Sequence, residues 1–363
     1  MDPTLIGSDP LRVVVATIVH HPDDARIRHR QIEALLDAGA EVTYIAPVGD
    51  GPAEGLTRVE IPRASGRRRL HALRAARAAL RAHTPRADVT IVHDPELVLA
   101  AGAITGPRVW DIHEDVVAQL TDKTYIPSSL RPVARLAARS IERYGAAHFE
   151  CLIAERGYVE RYPGATLVPN TVRLPEVVAA SEGGRVVYLG RVSHSRGADL
   201  LATVRSALEG LVEVDVIGPV DADVQDLLSG RGFIPNDVAL PMLGGATAGL
   251  SLLRDLPNYR HSMPTKILEY MAWGVPVITT PLPEAAAIVE AHDCGIVVPH
   301  DDPAAVVEAI RTLDADADER QRLADNGRTA ARLHYNWATD STAFVEALRN
   351  ARTRRQPRNV IPR

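Results

Sequence analysis

Apolar residues in this chain fall into short continuous runs, separated by longer stretches in which they recur at helical spacing. The run LRVVVATIV at 11–19 is rich in β-branched side chains, which predicts a strand buried on both faces. Residues 25–37 repeat at helical spacing and stop at Gly39, and EVTYIAP follows as the next strand, so the chain opens as strand, helix, strand. Further strands are predicted at DVTIVH (88–93), RVWDIH (108–113) and FECLIA (149–154), each followed by a helical pattern. Strands alternating with helices imply a parallel sheet covered on both faces. The pattern halts at LVPNTVRLPE (167–176), whose prolines and polar residues read as a linker. It restarts with RVVYLG (185–190), VEVDVIG (212–218), AGLSLL (248–253), VPVITT and GIVVP. Two doubly wound α/β halves are therefore expected. A helix at 335–350 lies beyond the last strand, and the basic end RTRRQPRNVIPR is expected to fray.

Composition narrows the function. At 363 residues, 46% hydrophobic and 24% charged, the chain has the size and make-up of two globular domains. A formal net charge of −5 argues against bulk nucleic-acid binding. No apolar run approaches the roughly 18 residues that span a bilayer, and the opening MDPTLIGSDP lacks a signal-like region, so a cytoplasmic location is expected. Cys151 and Cys294 lie far apart in sequence and read as buried free thiols. Among 41 Lys+Arg, only Lys123 and Lys266 are lysines. A lysine kept against such an arginine bias suggests a place where a compact ammonium is needed.

Lys266 lies in the most informative stretch, NYRHSMPTKILEYMAWGVPVITT (258–280). It stands at the entrance of a predicted helix with Glu269 one turn further in; Pro264 suits the first turn, and Ser262 or Thr265 can supply a capping oxygen. The unpaired N–H groups of that entrance, reinforced by Lys266, attract an anion. The two acceptor oxygens of Glu269 match a ribose diol rather than a phosphate. In doubly wound sheets ligands lie beyond the carboxyl ends of the strands, and His20, His93, His113, Arg191 and Gly218 all fall there.

The segments DDARIRHRQIEALLDAGAEV, HDPEL, WDIHEDVVAQLTDKTYIP, VPNTV, YLGRVSHSRGADLL, the Lys266 stretch, CGIVVPHDDPAAVVEAI and NGRTAARLHYNW occur in an order that resembles the family 4 glycosyltransferases of GT-B fold. The resemblance is nearest to the branch associated with capsular and other surface polysaccharides, and it runs from about Val13 to Trp337. It implies two Rossmann-like α/β domains facing a central cleft: an acceptor-side domain at 1–170 and a nucleotide-sugar-binding domain at 171–336, with a last helix at about 337–350 crossing back to the first. The implied reaction is a retaining transfer from a nucleoside diphosphate sugar to a hydroxyl of a glycan, lipid-linked or small-molecule acceptor, with no metal or other cofactor.

Carried onto this chain, the resemblance gives His113, Arg191 and Lys266 the catalytic positions, with His113 beside the transferred sugar and the two cations at the leaving diphosphate. Arg196, Glu269, Asn258, Ser262, Thr265, Gly218, Phe233 and Ile234 fall on the donor side, the last pair flanking the base. Asp24, Arg26, His93, Asp94, Glu114 and Lys123 fall on the acceptor side. Plainer readings stay open for several of these. Asp24 can be no more than a helix cap, HDPEL a turn and cap, and Glu114 with Lys123 a solvated loop. Arg26 can instead reach the diphosphate, replacing the glycine-rich first loop that many members carry where this chain has HHPDDAR. The family's paired glutamates, eight positions apart, are reduced to Glu269, with His261 in the first place, which leaves the donor sugar open.

Two rival readings arise. HHPDD resembles a segment of the zinc-dependent N-acetylglucosaminyl deacetylases, but Ala25 replaces their glutamate and the 13 histidines include no pair at the three-residue spacing of the later metal ligand. His261 also raises an inactive nucleotide-sugar-binding subunit, against which the retention of Arg191, Lys266, Glu269 and His113 together argues. Finally, residues 66–83 form an arginine-rich helix with an apolar stripe of Leu70, Leu73 and Leu80 and no acid. Such a helix suits either an anionic membrane surface at the inner face or the ordinary exterior of an arginine-biased protein.

Overall fold

The β-branched runs form strands because both of their faces can be buried under helices. In the computed structural model, which describes residues 9–49, 51, 53–113, 131–257, 259–260 and 263–353, they assemble two wholly parallel sheets. The first contains β1 (Arg12–Ala16), β2 (Glu41–Pro47), β3 (Leu56–Ile61), β4 (Val89–Val92), β5 (Arg108–Ile112), β6 (Glu150–Ile153) and β7 (Thr166–Leu167), in the order β3-β2-β1-β4-β5-β6-β7. The second contains β8 (Arg185–Leu189), β9 (Glu213–Ile217), β10 (Ala248–Ser251), β11 (Val277–Thr279) and β12 (Gly295–Val297), in the order β12-β11-β10-β8-β9. The expected doubly wound α/β architecture is present in both. Chain order reverses between β1 and β4 in one sheet and between β8 and β10 in the other, so each has a switch point at which a ligand crevice opens.

The chain divides into a unit of Met1–Pro169 with Thr339–Arg363, and a unit of Asn170–Ala338. In the first, Ile45, Ala76, Leu80, Leu97 and Trp110 share one core cluster. The helix Trp337–Thr353 buries Phe344, Leu348 and Ala351, and its Arg352 lies 3.8 Å from Asp88 of the same unit. In the second unit, Tyr188, Leu201, Leu250 and Ile310 lie at the centre of one layer, while Ile267, Tyr270 and Val277 belong to the other.

Several local expectations need correction. The helix expected from residue 25 begins as a π-helical turn, Ile27–Ile32, and continues as the short α-helix Glu33–Asp37. In the arginine-rich helix, Arg69–His83, the buried stripe is Ala72, Ala76 and Leu80, whereas Leu70 is 67% exposed. Small side chains at the four-residue spacing let the helix lie close on the sheet, which turns Leu70 outward. Pro264 is the cap residue rather than a first-turn residue of the helix Thr265–Ala272, and among the described residues no side chain caps that helix. Cys294 is buried but Cys151 only half-buried; both thiols are free, and burial pushes each up to about 12. Asn258, Ser262, His261, Glu114 and Lys123 lie outside the described residues, as does the chain end beyond Thr353.

Candidate active site

In the N-terminal unit, the carboxyl ends of the adjacent strands β1, β4 and β5 deliver His20, His93, Asp94 and His113 to one place. Its anchor is Asp111, a fully buried carboxylate within β5. Arg26 donates to both of its oxygens, from Nε at 2.8 Å and Nη2 at 2.7 Å, and Gln31 donates from 2.9 Å. Such a two-pronged pair fixes orientation as well as charge. Burial by itself raises the Asp111 carboxyl; the Arg26 charge and hydrogen bonds, joined by His113 and His93, reverse this and hold it well below the usual carboxylate range. Arg26 also donates to the Val168 carbonyl and is only 3% exposed. The sequence-based idea that Arg26 reaches a diphosphate is therefore corrected: it is spent on Asp111.

Asp24 does act as a cap, its Oδ1 accepting from the N–H groups of Arg26 and Ile27 at 2.9 and 3.0 Å. Its second oxygen lies 3.4 Å from His20 Nδ1. Asp94 stands at the start of the short helix Pro95–Val98 but makes no capping bond; its carboxylate accepts from Thr17 Oγ1 and the Ile18 N–H. His93 is buried, and neither ring nitrogen has a hydrogen-bond partner among the described residues, although Nδ1 lies 3.2 Å from Asp111. Burial depresses its pKa, and Asp111 opposes the shift. His113, whose side chain is 12% exposed, places Nε2 at 3.2 Å from His20 Nε2 and Nδ1 at 3.3 Å from the Asp111 carbonyl.

Among the described residues, His93, Asp111 and His113 bring ligand-type atoms within 4.8 Å of one another. The Arg26 guanidinium already takes the place of a cation on that carboxylate, so the group is a poor seat for a metal ion. The HHPDD segment is likewise spent locally: His21 accepts the Asp23 N–H, and Asp23 pairs with His29 at 2.6 Å.

In the C-terminal unit, β8 ends at Leu189 and leads into Gly190, Arg191 and a 3-10 turn, His194–Arg196, before the helix Ala198–Ala207. Gly197 joins turn to helix with φ +85°, and a Cβ there would meet the Leu252 carbonyl at 2.0 Å, so only glycine fits. Gly218, at the end of β9, is similarly pressed against the Gly190 carbonyl, 2.2 Å from where a Cβ would stand. Arg191 is exposed and pairs with Asp221; Arg196 is half-buried.

Fully buried Tyr188 organises this loop, a role not read from the sequence. Its hydroxyl lies 3.2 Å from the Arg191 carbonyl and 3.4 Å from that of Arg196, and its ring carries Lys266 Nζ at 3.8 Å from the centroid. Tyr270, one residue beyond Glu269, receives the Leu189 N–H and donates to the Leu250 carbonyl, tying the Lys266 helix to β8 and β10. Lys266 Nζ is buried and has no hydrogen-bond partner among the described residues. Burial holds its pKa well below the usual lysine value, Arg196 depresses it further, and Glu269 works in the other direction. Glu269 is 7% exposed, Thr265 and Ile234 are partly buried, and Phe233 is 57% exposed.

A buried Lys266 Nζ without a hydrogen-bond partner among the described residues, beside Arg196 and a helix N-terminus, is chemically suited to a phosphorylated ligand. The two parallel α/β sheets have the GT-B fold, and solved glycosyltransferase structures share it. Sucrose-phosphate synthase from Thermosynechococcus elongatus superposes with a TM-score of 0.71 at 16% identity, covering 94% of this chain and 98% of that one. Anabaena Alr3699/HepE in complex with UDP and glucose gives 0.69 at 14% identity, covering 94% and 100%. Residues 183–316 match the family model described as "Glycosyl transferases group 1". A phosphatidyl-myo-inositol mannosyltransferase of Mycolicibacterium smegmatis is 25% identical, with 86% of each chain covered. Over residues 183–316 the chain is thus similar to the group 1 glycosyltransferases, and over most of its length it is similar to that mannosyltransferase.

Proposed function

We propose that the C-terminal unit binds a nucleoside diphosphate sugar and that the enzyme transfers its sugar, with retained anomeric configuration, to a hydroxyl acceptor. The observation that carries this reading is Lys266: a buried Nζ with no hydrogen-bond partner among the described residues, next to Arg196 and at the start of a helix. Together with Arg191 and the N–H groups following Gly197, it offers the leaving diphosphate fixed positive charge, so no metal ion is needed. Glu269 is assigned to the ribose hydroxyls, with Gly218, Phe233, Ile234 and Thr265 on the same donor side. Asn258 and Ser262 fall to that side by sequence alone. His113 is assigned to the acceptor side, where it hydrogen-bonds a sugar hydroxyl while the leaving phosphate takes the acceptor proton.

The structural neighbour that holds UDP and glucose makes UDP the first probe. The relative that acts on phosphatidyl-myo-inositol makes a lipid-linked acceptor the first class to try. Contact with an anionic membrane surface through the helix Arg69–His83 would suit such an acceptor, since that helix exposes Leu70 and carries no acid.

Calorimetric titration with UDP in EDTA-containing buffer tests the reading. Lys266→Ala and Glu269→Ala should each weaken binding, and Lys266→Ala should raise the transfer barrier by about 3 kcal/mol. His113→Ala should bind UDP as the wild type does and lose most transfer. Binding lost in His113→Ala but intact in Lys266→Ala reverses the assignment of the two units. Activity lost in EDTA and restored by a divalent ion ends the metal-free mechanism, and an inverted product by NMR ends the retaining one.

A further inference from the structure

His20 and His113 approach through their Nε2 atoms, 3.2 Å apart, with ring centroids at 4.9 Å. Two imidazoles meeting in this way need one proton between them, so one nitrogen donates and the other accepts. The surroundings decide which. His113 Nδ1 lies 3.3 Å from the Asp111 carbonyl and 3.5 Å from its carboxylate, both acceptors only, so Nδ1 carries a hydrogen. The proton between the rings then belongs to His20 Nε2. At its other side, His20 Nδ1 lies 3.4 Å from Asp24 Oδ2, again an acceptor only, and that nitrogen needs a hydrogen as well. Asp94 Oδ1 stands 3.6 Å from His20 Nε2.

We propose that His20 is a positioning residue for the transfer: it is the imidazolium of a His20–His113 pair, held by Asp24 and Asp94, and it fixes His113 as the tautomer with Nδ1 protonated and Nε2 bare. The proposal rests on the reading of His113 as the acceptor-side group. The bare Nε2 is then the atom that an incoming sugar hydroxyl takes over from His20, so the ligand class is a hydroxyl donor.

Among the described residues, the charged groups facing the pair are Asp24 from the turn after β1, His93 and Asp94 from the end of β4, and Asp111 with its partner Arg26. Two of these carboxylates, Asp24 and Asp94, lie against His20 itself at 3.4 and 3.6 Å, and a charged His20 answers them. The Asp24 carboxyl agrees: burial raises it, but the hydrogen bond and charge of His20, with the Ile27 N–H, overcome this and bring it well below the usual range.

Long-range proton–nitrogen NMR of the full chain labelled with ¹⁵N-histidine tests this, the signals being assigned by His20→Ala and His113→Ala. At pH 7 His20 should show two protonated nitrogens, and His113 a protonated Nδ1 with a bare Nε2. A neutral His20, or a proton on His113 Nε2, overturns the proposal. Asp24→Asn keeps a capping oxygen and should make His20 neutral. His20→Gln still offers an N–H and should preserve the His113 tautomer, whereas His20→Ala should leave a mixture. A structural role alone predicts the same His113 signal in both variants, and that outcome also overturns it. None of these readouts needs nucleotide, so failure here is separable from failure of the UDP titration.

Discussion

The polar cluster of the N-terminal unit and the cation site of the C-terminal unit handle charge in opposite ways. Around Asp111, Asp94 and Asp24, the carboxylates are answered from within by Arg26, Gln31, Thr17, His20 and backbone N–H groups. Around Lys266 a cation is folded onto the Tyr188 ring with no hydrogen-bonded anion among the described residues, and its charged neighbours are Arg196, a second cation, and Glu269. A matched interior contributes geometry, because each side chain is held from two sides. An unmatched one contributes affinity, because its stabilisation is completed only by a ligand.

The largest effect that tests this contrast belongs to the matched side. Arg26→Ala leaves the Asp111 charge buried without its partner and should cost about 3–5 kcal/mol of stability, read by urea denaturation. The pH dependence has a definite sign. Asp111 is depressed in the folded protein, so the stability gained from the pair is present above the unfolded carboxylate pKa near ~4 and is lost as pH falls from there through the depressed value. A variant within about 1 kcal/mol of wild type would show that Asp111 is not held as an anion by Arg26.

On the unmatched side the response should be to pH and ligand. An anionic diphosphate favours the charged Lys266, whose pKa is depressed without it. Between the free and bound values, binding should take up as much as about one proton, and UDP affinity should fall as pH rises through that window. Titration in buffers of different ionisation enthalpy measures the uptake; an affinity that is flat across the window removes Lys266 as the group that changes charge. A smaller effect is expected from Tyr188→Phe. The ring beneath Lys266 is retained and only the hydroxyl held between the two arginine carbonyls is lost, for about 1 kcal/mol of UDP affinity. Unchanged affinity would mean that the loop keeps its shape without that hydroxyl.

Much of the fold was legible because its central strands are apolar on both faces, as in RVVVA of β1 and VTIV of β4, where every residue but Arg12 is buried. The edge strand LTRVEI of β3 was missed for the converse reason: Arg58 and Glu60 interrupt it, and of its residues only Ile61 is buried. Lys266 and the arginine loop stood out as cations in a setting where the sequence offered an alternative to each. The pieces that orient them did not. Tyr188 lies in an apolar run and reads as core until its hydroxyl partners are seen. Asp111 left a usable signal, a lone carboxylate within the otherwise uncharged VWDI of a buried strand, which calls for a buried partner. That the partner is Arg26, 85 residues away, follows only from the fold.

The chain enters the C-terminal unit at Asn170 and leaves it at Thr339, returning its final helix to the N-terminal unit. During synthesis, the first unit to emerge is thus the last to be completed. Its sheet leaves the ribosome without Phe344, Leu348 and Ala351, whereas the second unit is continuous and whole as soon as residue 338 is free. A premature stop between Thr339 and Phe344 would leave the second unit whole and strip the buried side chains Phe344, Leu348 and Ala351 from the first.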